Sequence, residues 1–89
     1  MQYYKAGGST LSTIKFDGYD AAAGQMIDRK LAVTTFNKAH RQAINQSLAL
    51  EQNGMTGLWE VPDAYQLGRA NKIFSDLGIT NITARIVQP

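Results

Sequence analysis

The last third of the chain carries a pattern that few folds accommodate. Residues 55–61 form a short apolar run typical of a strand, and residues 79–87 alternate between apolar and polar side chains. Between them, residues 64–77 place apolar side chains three and four positions apart, as an amphipathic helix does. Gly78 follows the last apolar position, where a glycine commonly ends a helix. This order predicts a strand–helix–strand unit whose connection lengths fit a right-handed crossover between parallel strands.

The helix expected at residues 64–77 has a defined start and a defined buried face. Asp63 is expected to cap its first turn, and Gln66 stands three positions later, as in a capping box. Trp59 and Val61 point to one side of the preceding strand, and we expect Trp59 to anchor the core. The apolar face of the helix comprises Leu67, Ala70, Ile73, Phe74 and Leu77, and the last strand directs Ile82, Ala84 and Ile86 inward.

Residues 36–53 predict the longest helix, and Asn53-Gly54 marks its end. Its expected buried face consists mainly of small side chains, which would allow another backbone to approach closely. That face comprises Phe36, Ala39, Ala43, Ser47 and Leu50. The opposite, polar face comprises Lys38, Arg41, Gln42, Asn45 and Gln52.

The first third of the chain is less clearly patterned. Residues 9–16 alternate loosely and predict a strand, and residues 2–6 would add a further strand if they pair. Residues 19–32 allow two interpretations, of which we favour a helix capped by Asp20. The alternative is the return arm of a hairpin, which the Asp17-Gly18 pair favours. In the helical interpretation the buried side comprises Ala23, Ile27 and Leu31.

These elements predict an α+β fold in a single domain over residues 1–89. We expect a small two-layer sandwich, in which two or three helices cover one face of a three- to four-stranded sheet. The chain is expected to end in a βαβ-like unit. A sheet this small leaves edge strands that a partner could extend.

Composition excludes several classes of protein. The 89 residues include no cysteine, so disulfides, thiolate catalysis and cysteine-bound metals are excluded. No apolar run is long enough to span a membrane, and residues 1–5 lack the apolar core of a secretory leader. We therefore expect a cytoplasmic protein without membrane contact. The formal net charge of +2 permits nucleic-acid binding but does not by itself argue for it.

No set of residues suggests catalysis. His40 is the single histidine, and its neighbours along the helix cannot act with it as acid, base or nucleophile. Asp17 and Asp20 supply too few oxygens for a calcium loop and are interpreted as turn residues. Glu60 and Asp63 stand three positions apart, but Asp63 is already assigned to the helix cap. We expect no enzymatic activity, no cofactor and no bound metal.

Protein binding is the function that the sequence favours most. Twelve Asn and Gln residues predict a surface that costs less to dehydrate than a charged one. The aromatic side chains are too many for so small a core, and tyrosine is common at interfaces. We predict a non-enzymatic protein-binding module with Tyr3, Tyr4 and Tyr65 in its interface. We expect such a module to act as an inhibitor, an adaptor or an assembly subunit, of the kind that phages and mobile elements direct at host complexes. Self-association is a further alternative.

Nucleic-acid binding by a regulatory protein is the alternative function. Lysine contacts phosphates, whereas arginine, glutamine and asparagine read base edges. The two long helices are separated by residues that include a strand, so the tight turn of a helix-turn-helix is excluded. The residues that would serve this function on the two helices are Lys38, Arg41, Gln42, Asn45, Arg69 and Lys72.

Overall fold

The computed structural model describes residues 1–33 and 36–88. This part of the chain contains six strands and two helices, which confirms the α+β class predicted from the sequence. In chain order they are β1 (Gln2–Tyr4), β2 (Leu11–Thr13), β3 (Gly18–Asp20), β4 (Gln25–Arg29), α1 (Phe36–Gln52), β5 (Thr56–Val61), α2 (Ala64–Leu77) and β6 (Ile82–Ile86).

Four strands form the main sheet, in the order β3–β4–β5–β6. β3 runs antiparallel to β4, whereas β4, β5 and β6 are parallel to one another. α1 connects β4 to β5 and α2 connects β5 to β6, so the predicted βαβ unit is confirmed and another one precedes it. Side chains of both helices join β5 and β6 in one apolar core, which places both helices on the same face of the sheet. The predicted two-layer sandwich is therefore confirmed, with two helices.

α2 begins and ends where the sequence predicts. Asp63 Oδ1 accepts a hydrogen bond of 2.9 Å from the backbone N–H of Gln66, and Gly78 ends the helix with a left-handed φ of 66°. The Gln66 side chain departs from the capping-box prediction, because its oxygen accepts a hydrogen bond of 2.7 Å from the backbone N–H of Val33. This bond ties the segment after β4 to the first turn of α2.

Trp59 on β5 lies at the centre of the core, as predicted. It is 1% exposed, and its ring meets the Phe74 ring edge-on with the two centroids 4.9 Å apart. The small side chains on the buried face of α1 allow this helix to lie close to β5. The packing is so close that a Cβ atom at Gly57 would lie 2.7 Å from Leu50 Cδ1. The side chain of Phe36, which the helical pattern placed on the same face, lies outside the described residues.

Residues 19–32 contain no helix, so the helix that we favoured there is wrong. β3 and β4 form a β-hairpin whose turn lies at residues 21–24, so the alternative turn at Asp17-Gly18 is wrong as well. Asp20 caps no helix; its carboxylate accepts hydrogen bonds from the backbone N–H groups two and three positions later. These bonds close a turn that ends at Gly24, whose φ is 61°. Leu31, expected on a buried helical face, is 81% exposed. Residues 25–29 form a strand and not a helix because β4 pairs with β5 in parallel over its whole length. This long-range interaction overrides the local propensity.

β1 and β2 form a second, two-stranded antiparallel sheet, which packs against α1 instead of extending the main sheet. Residues 2–6 therefore do contain a paired strand, β1, but it pairs with β2 and not with a strand of the main sheet. The strand expected at residues 9–16 is shorter than predicted, since only Leu11–Thr13 is extended and paired. We call residues 1–16 the N-terminal hairpin.

The N-terminal hairpin is attached to α1 by two amide side chains and one buried ring. Gln52 bonds to both backbone groups of Tyr4 at 2.7 Å, accepting from its N–H and donating to its carbonyl. Asn53, just after α1, donates to the carbonyl of Gln2 at 2.9 Å. Between these contacts Tyr3 is 3% exposed. These attachments hold the hairpin beside α1 and leave a groove between the two.

Candidate functional site

A groove of about 700 Å³ lies between the N-terminal hairpin and α1. Three lysines line it: Lys5 after β1, Lys15 after β2 and Lys38 near the start of α1. The two walls come from separate parts of the chain, so the groove exists only in the folded protein. The other lining residues are mostly polar and comprise Tyr3, Ser12, Thr13, Ile14, Gln42 and Asn45.

The α1 wall of this groove follows from helical spacing. Lys38, Gln42 and Asn45 are separated by four and three positions, which places them on one face of the helix. Ala43 and Gln46, one position beyond Gln42 and Asn45, are wholly buried on the core side. The same periodicity that predicts the packing of α1 therefore also predicts which of its side chains face the groove.

A second cavity of about 270 Å³ adjoins the groove. Lys38 and Gln42 line both spaces, so the two form one continuous surface. Lys30 and Val33, in the segment after β4, line the second cavity on the side away from α1. We call the two spaces together the basic groove, after its lysines Lys5, Lys15, Lys30 and Lys38.

Lys30 is held in position by a buried chain of polar contacts. The indole N–H of Trp59 donates to Gln46 Oε1 at 2.7 Å, and Gln46 Nε2 donates to Asp28 Oδ2 at 2.6 Å. Lys30 Nζ lies 2.8 Å from the same carboxylate oxygen and 5.0 Å from the centre of the Trp59 ring. Because its side chain is 14% exposed, this ammonium is a fixed charge beside the groove and not a mobile surface group.

Two carboxyl groups near this chain have pKa values shifted in opposite directions. Burial raises the pKa of Asp28 above its ordinary value; Lys30 opposes this shift and a hydrogen bond with Asp17 supports it. The backbone N–H of Arg29, 2.8 Å from Asp17 Oδ2, lowers the pKa of Asp17. Protonation of Asp28 would leave the Lys30 charge without its counter-ion, which strengthens the positive field of the basic groove.

The basic groove concentrates positive charge. Among the described residues that line it there is no carboxylate. Within the described part of the chain, no carboxylate forms an ion pair with Lys5, Lys15 or Lys38. Four of the nine Lys and Arg residues line this one surface, so the modest net charge of +2 is unevenly distributed. Gathered cations of this kind attract anions and raise their local concentration.

Half of the residues predicted for nucleic-acid binding line the basic groove, namely Lys38, Gln42 and Asn45. Arg41 is exposed on α1 but lies outside the lining of the groove.

The remaining two predicted cations lie on α2. The guanidinium of Arg69 lies 5.5 Å from the centre of the Tyr65 ring, and Lys72 Nζ lies 3.3 Å from Asp76 Oδ2. Three of the six residues predicted for nucleic-acid binding therefore line the basic groove, and the other three lie outside it.

The three tyrosines predicted for a protein interface do not share one surface. Tyr3 is 3% exposed beside α1, so it offers a partner almost no surface in this fold, and its place in an interface stays a prediction. Tyr4 is exposed beside the C-terminal end of α1, while Tyr65 is exposed in the first turn of α2. Both helices run opposite to the parallel strands, so these two tyrosines lie at opposite ends of the helical layer.

The carboxylates considered for catalysis or metal binding have structural contacts instead. Asp20 closes the β3–β4 turn, Asp63 caps α2, and Glu60 pairs with two arginines. His40 is half-buried on α1. Among the described residues, no group of three or more His, Asp and Glu side chains is placed to hold a metal ion.

Sequence reasoning missed the contributions of Lys5, Lys15 and Lys30 to the groove. These lysines come from three separate segments, so neither a charge run nor a helical period connects them. One signal was available for two of them: Gly7-Gly8 between two extended segments is typical of a hairpin turn. A hairpin there would have placed Lys5 and Lys15 on one structural element. The position of Lys30 depends on the buried contact with Asp28, which no local pattern predicts.

Comparison with protein-family models, with curated proteins and with solved structures gave no match for this chain. Neither of the two helices in the described chain combines the length and the apolarity that crossing a bilayer requires. We therefore infer function from the geometry of the surface itself.

Proposed function

We propose that this chain binds single-stranded nucleic acid in the basic groove and acts by binding alone, without catalysis. The observation that carries the proposal is a continuous surface with four lysines and, among its described lining residues, no carboxylate. Surfaces of this kind follow the phosphate backbone of a nucleic acid.

A chain of phosphates fits this surface better than a single small anion does. Lys5 follows β1 at the turn end of the N-terminal hairpin, and Lys15 lies beyond its open end. Lys30 is in the adjoining cavity, on the far side of Lys38 and Gln42. One anion cannot contact all four ammonium groups, whereas successive phosphates can contact them in turn.

A single strand fits the recessed shape better than a duplex does. Proteins read duplex DNA with helices or strands that protrude into its grooves. Here the cations line a recess between the N-terminal hairpin and α1, which a single strand can enter.

The groove is built for contact with the backbone more than with particular bases. Gln42, Asn45 and Ser12 offer hydrogen-bonding groups to base edges. Its two aromatic lining residues, Tyr3 and Trp59, are both buried and offer no ring on which a base could stack. We therefore expect binding that tolerates many sequences and weakens strongly as salt rises.

The proposal is tested with a fluorescently labelled single-stranded oligonucleotide, whose affinity is measured by anisotropy over a series of salt concentrations. Lys30 already has Asp28 as its counter-ion. The three phosphates that Lys5, Lys15 and Lys38 can neutralise predict a slope of about −2 for log affinity against log salt, at roughly −0.7 per phosphate. The triple variant Lys5→Gln, Lys15→Gln and Lys38→Gln retains only the ion-paired Lys30, so its slope should fall close to zero with a roughly tenfold or greater loss of affinity.

A matched control removes three positive charges outside the groove. Arg41→Gln, Arg69→Gln and Lys72→Gln change the net charge equally but leave the groove lining intact. We expect this control to bind nearly as tightly as the unaltered protein. Equal losses in both triple variants would mean diffuse attraction to a positive protein, and affinity independent of salt would contradict the proposal altogether.

Protein binding, the first prediction from the sequence, stays a prediction. The exposed tyrosines Tyr4 and Tyr65 lie at opposite ends of the helical layer. Roles as an inhibitor, adaptor or assembly subunit of a phage or mobile element, and a cytoplasmic location, also remain proposals. A cytoplasmic location agrees with the proposed ligand, since single-stranded nucleic acids are accessible there.

A further inference from the structure

An apolar depression of about 240 Å³ lies at the carboxyl ends of β4 and β5. Its apolar lining comes from Leu31, Val61, Pro62 and Val87, and its rim includes Arg29 and Glu60. We call it the Leu31 depression. Lys30 also lines it, so the depression adjoins the basic groove at this residue, whereas Lys5, Lys15 and Lys38 lie outside its lining.

Two exposed apolar side chains, Leu31 and Val87, line this depression. Leu31 is 81% exposed, the highest exposure among the large apolar side chains of the described residues. Val87 is also substantially exposed, and so is Ile86, which precedes it. Single exposed apolar residues are common, but adjacent ones around a concave surface are typical of interaction sites.

Beside the depression, one carboxylate is shared between two arginines. Glu60 Oε1 lies 3.3 Å from Arg29 Nε, and Glu60 Oε2 lies 2.9 Å from Arg85 Nη2. The Arg85 hydrogen bond, followed by that of Arg29, lowers the pKa of Glu60, so this group is ionised at neutral pH. Its side chain is 9% exposed, whereas those of Arg29 and Arg85 are 77% and 60% exposed. A partner therefore meets two guanidinium groups above one covered carboxylate.

These arginines lie on the face of the main sheet opposite to the helices. Strand register places Arg29, Glu60 and Arg85 side by side across β4, β5 and β6. Side chains alternate along β5, so Glu60 points away from the core that contains Trp59 and Val61. Both helices pack on the core side, while the side chains of Arg29 and Arg85 on the opposite face are 77% and 60% exposed. The rim of the Leu31 depression is therefore accessible to a large partner.

We propose that the Leu31 depression docks a short segment of a partner protein that carries an apolar side chain next to carboxylates. The apolar side chain would fill the space lined by Leu31, Pro62 and Val87. The carboxylates would pair with the two guanidinium groups, whose combined charge exceeds that of the one covered carboxylate. This proposal concerns a ligand class different from that of the basic groove, and a depression that shares only Lys30 with it.

A second copy of the chain is the poorer occupant. A two-fold contact brings the same patch of both copies together, so Arg29 and Arg85 would face arginines of the other copy. Like charges brought together in this way oppose association. A segment with acidic residues has the complementary charge.

The test pans a library of random peptides against the immobilised protein and sequences the peptides that are retained. We expect enrichment of peptides in which Leu, Ile or Phe stands beside Asp or Glu. For the best peptide, Leu31→Glu and Arg29→Gln should each weaken binding roughly tenfold or more, as loss of an interface hot spot does. Leu11→Glu is the matched control, because Leu11 is an exposed leucine on the N-terminal hairpin, and it should bind the peptide like the unaltered protein.

The outcomes separate the alternatives. Absence of enrichment, enrichment of basic peptides, or equal loss in Leu11→Glu would overturn the proposal. Self-association that Leu31→Glu abolishes would assign the surface to a second copy and overturn it as well. Leu31 and Arg29 are exposed, so both variants should melt at the temperature of the unaltered protein and retain its affinity for the oligonucleotide. Failure of the docking proposal is thereby distinguishable from failure of the basic groove.

Discussion

The N-terminal hairpin and the sheet-and-helix unit from β3 to β6 are held together in different ways. The unit has an apolar core around Trp59, and a buried hydrogen-bond chain through Gln46 crosses it. The N-terminal hairpin has one buried ring, Tyr3, and hydrogen bonds to the side chains of Gln52 and Asn53. Its Met1 and Phe16 side chains are partly buried against the core. The hydrogen bonds of the Gln52 and Asn53 side chains are exposed, whereas those of the Gln46 side chain are buried.

This difference divides stability from recognition. Buried apolar contacts and buried hydrogen bonds dominate the free energy of unfolding, while exposed hydrogen bonds add little because water competes for them. We therefore expect the sheet-and-helix unit to supply most of the stability. The N-terminal hairpin supplies Lys5 and Lys15 to the basic groove, and we expect it to separate from α1 at a lower free energy than the core requires to unfold.

The largest expected effect is in the core of the unit. Phe74→Ala removes the ring that packs against Trp59 and should lower the free energy of unfolding by roughly 3–5 kcal/mol, measured by urea denaturation. Tyr65→Ala, at an exposed position of the same helix, should change it by about 0.5 kcal/mol or less. A cost below about 1 kcal/mol for Phe74→Ala would mean that stability is not concentrated in this core.

A smaller loss is expected from the buried polar chain. Gln46→Ala leaves the Trp59 indole N–H without its acceptor and Asp28 without its amide donor, which should cost about 2–3 kcal/mol. Gln42→Ala, one helical turn earlier on the groove side, should leave the unfolding free energy nearly unchanged. Equal effects of the two substitutions would contradict the assignment of stability to the buried chain.

The smallest effect on stability is expected at the N-terminal hairpin. Gln52→Ala removes both bonds to the Tyr4 backbone and should cost about 1 kcal/mol or less. The amide of Tyr4 should exchange its hydrogen faster, while amides of β5 keep their protection. Oligonucleotide affinity should fall because the wall that carries Lys5 is less firmly placed. Glu51→Ala, at the exposed position before it, is the control, and equal acceleration of exchange in β5 would show that the two regions open together.

Parts of the fold that depend on local signals were predictable. The bounds of α2, its cap at Asp63 and its stop at Gly78 follow from side chains a few positions apart, and the structure confirms each. Trp59 could be placed in the core because alternation along a strand assigns its face. The groove-facing stripe of α1 was present in the predicted polar face, although nothing local showed that a second wall opposes it.

Periodicity and end signals in the sequence by themselves determined α1, α2, β5 and the last strand, because helical and strand repeats are read within a few residues. Tertiary structure alone decided that residues 19–32 form a hairpin, since β4 is stabilised by pairing with a strand that lies far along the chain. It also decided that Tyr3 is buried and that Lys5, Lys15, Lys30 and Lys38 line one surface. Contacts between distant segments depend on how whole elements pack, and no short window of sequence contains both partners of such a contact.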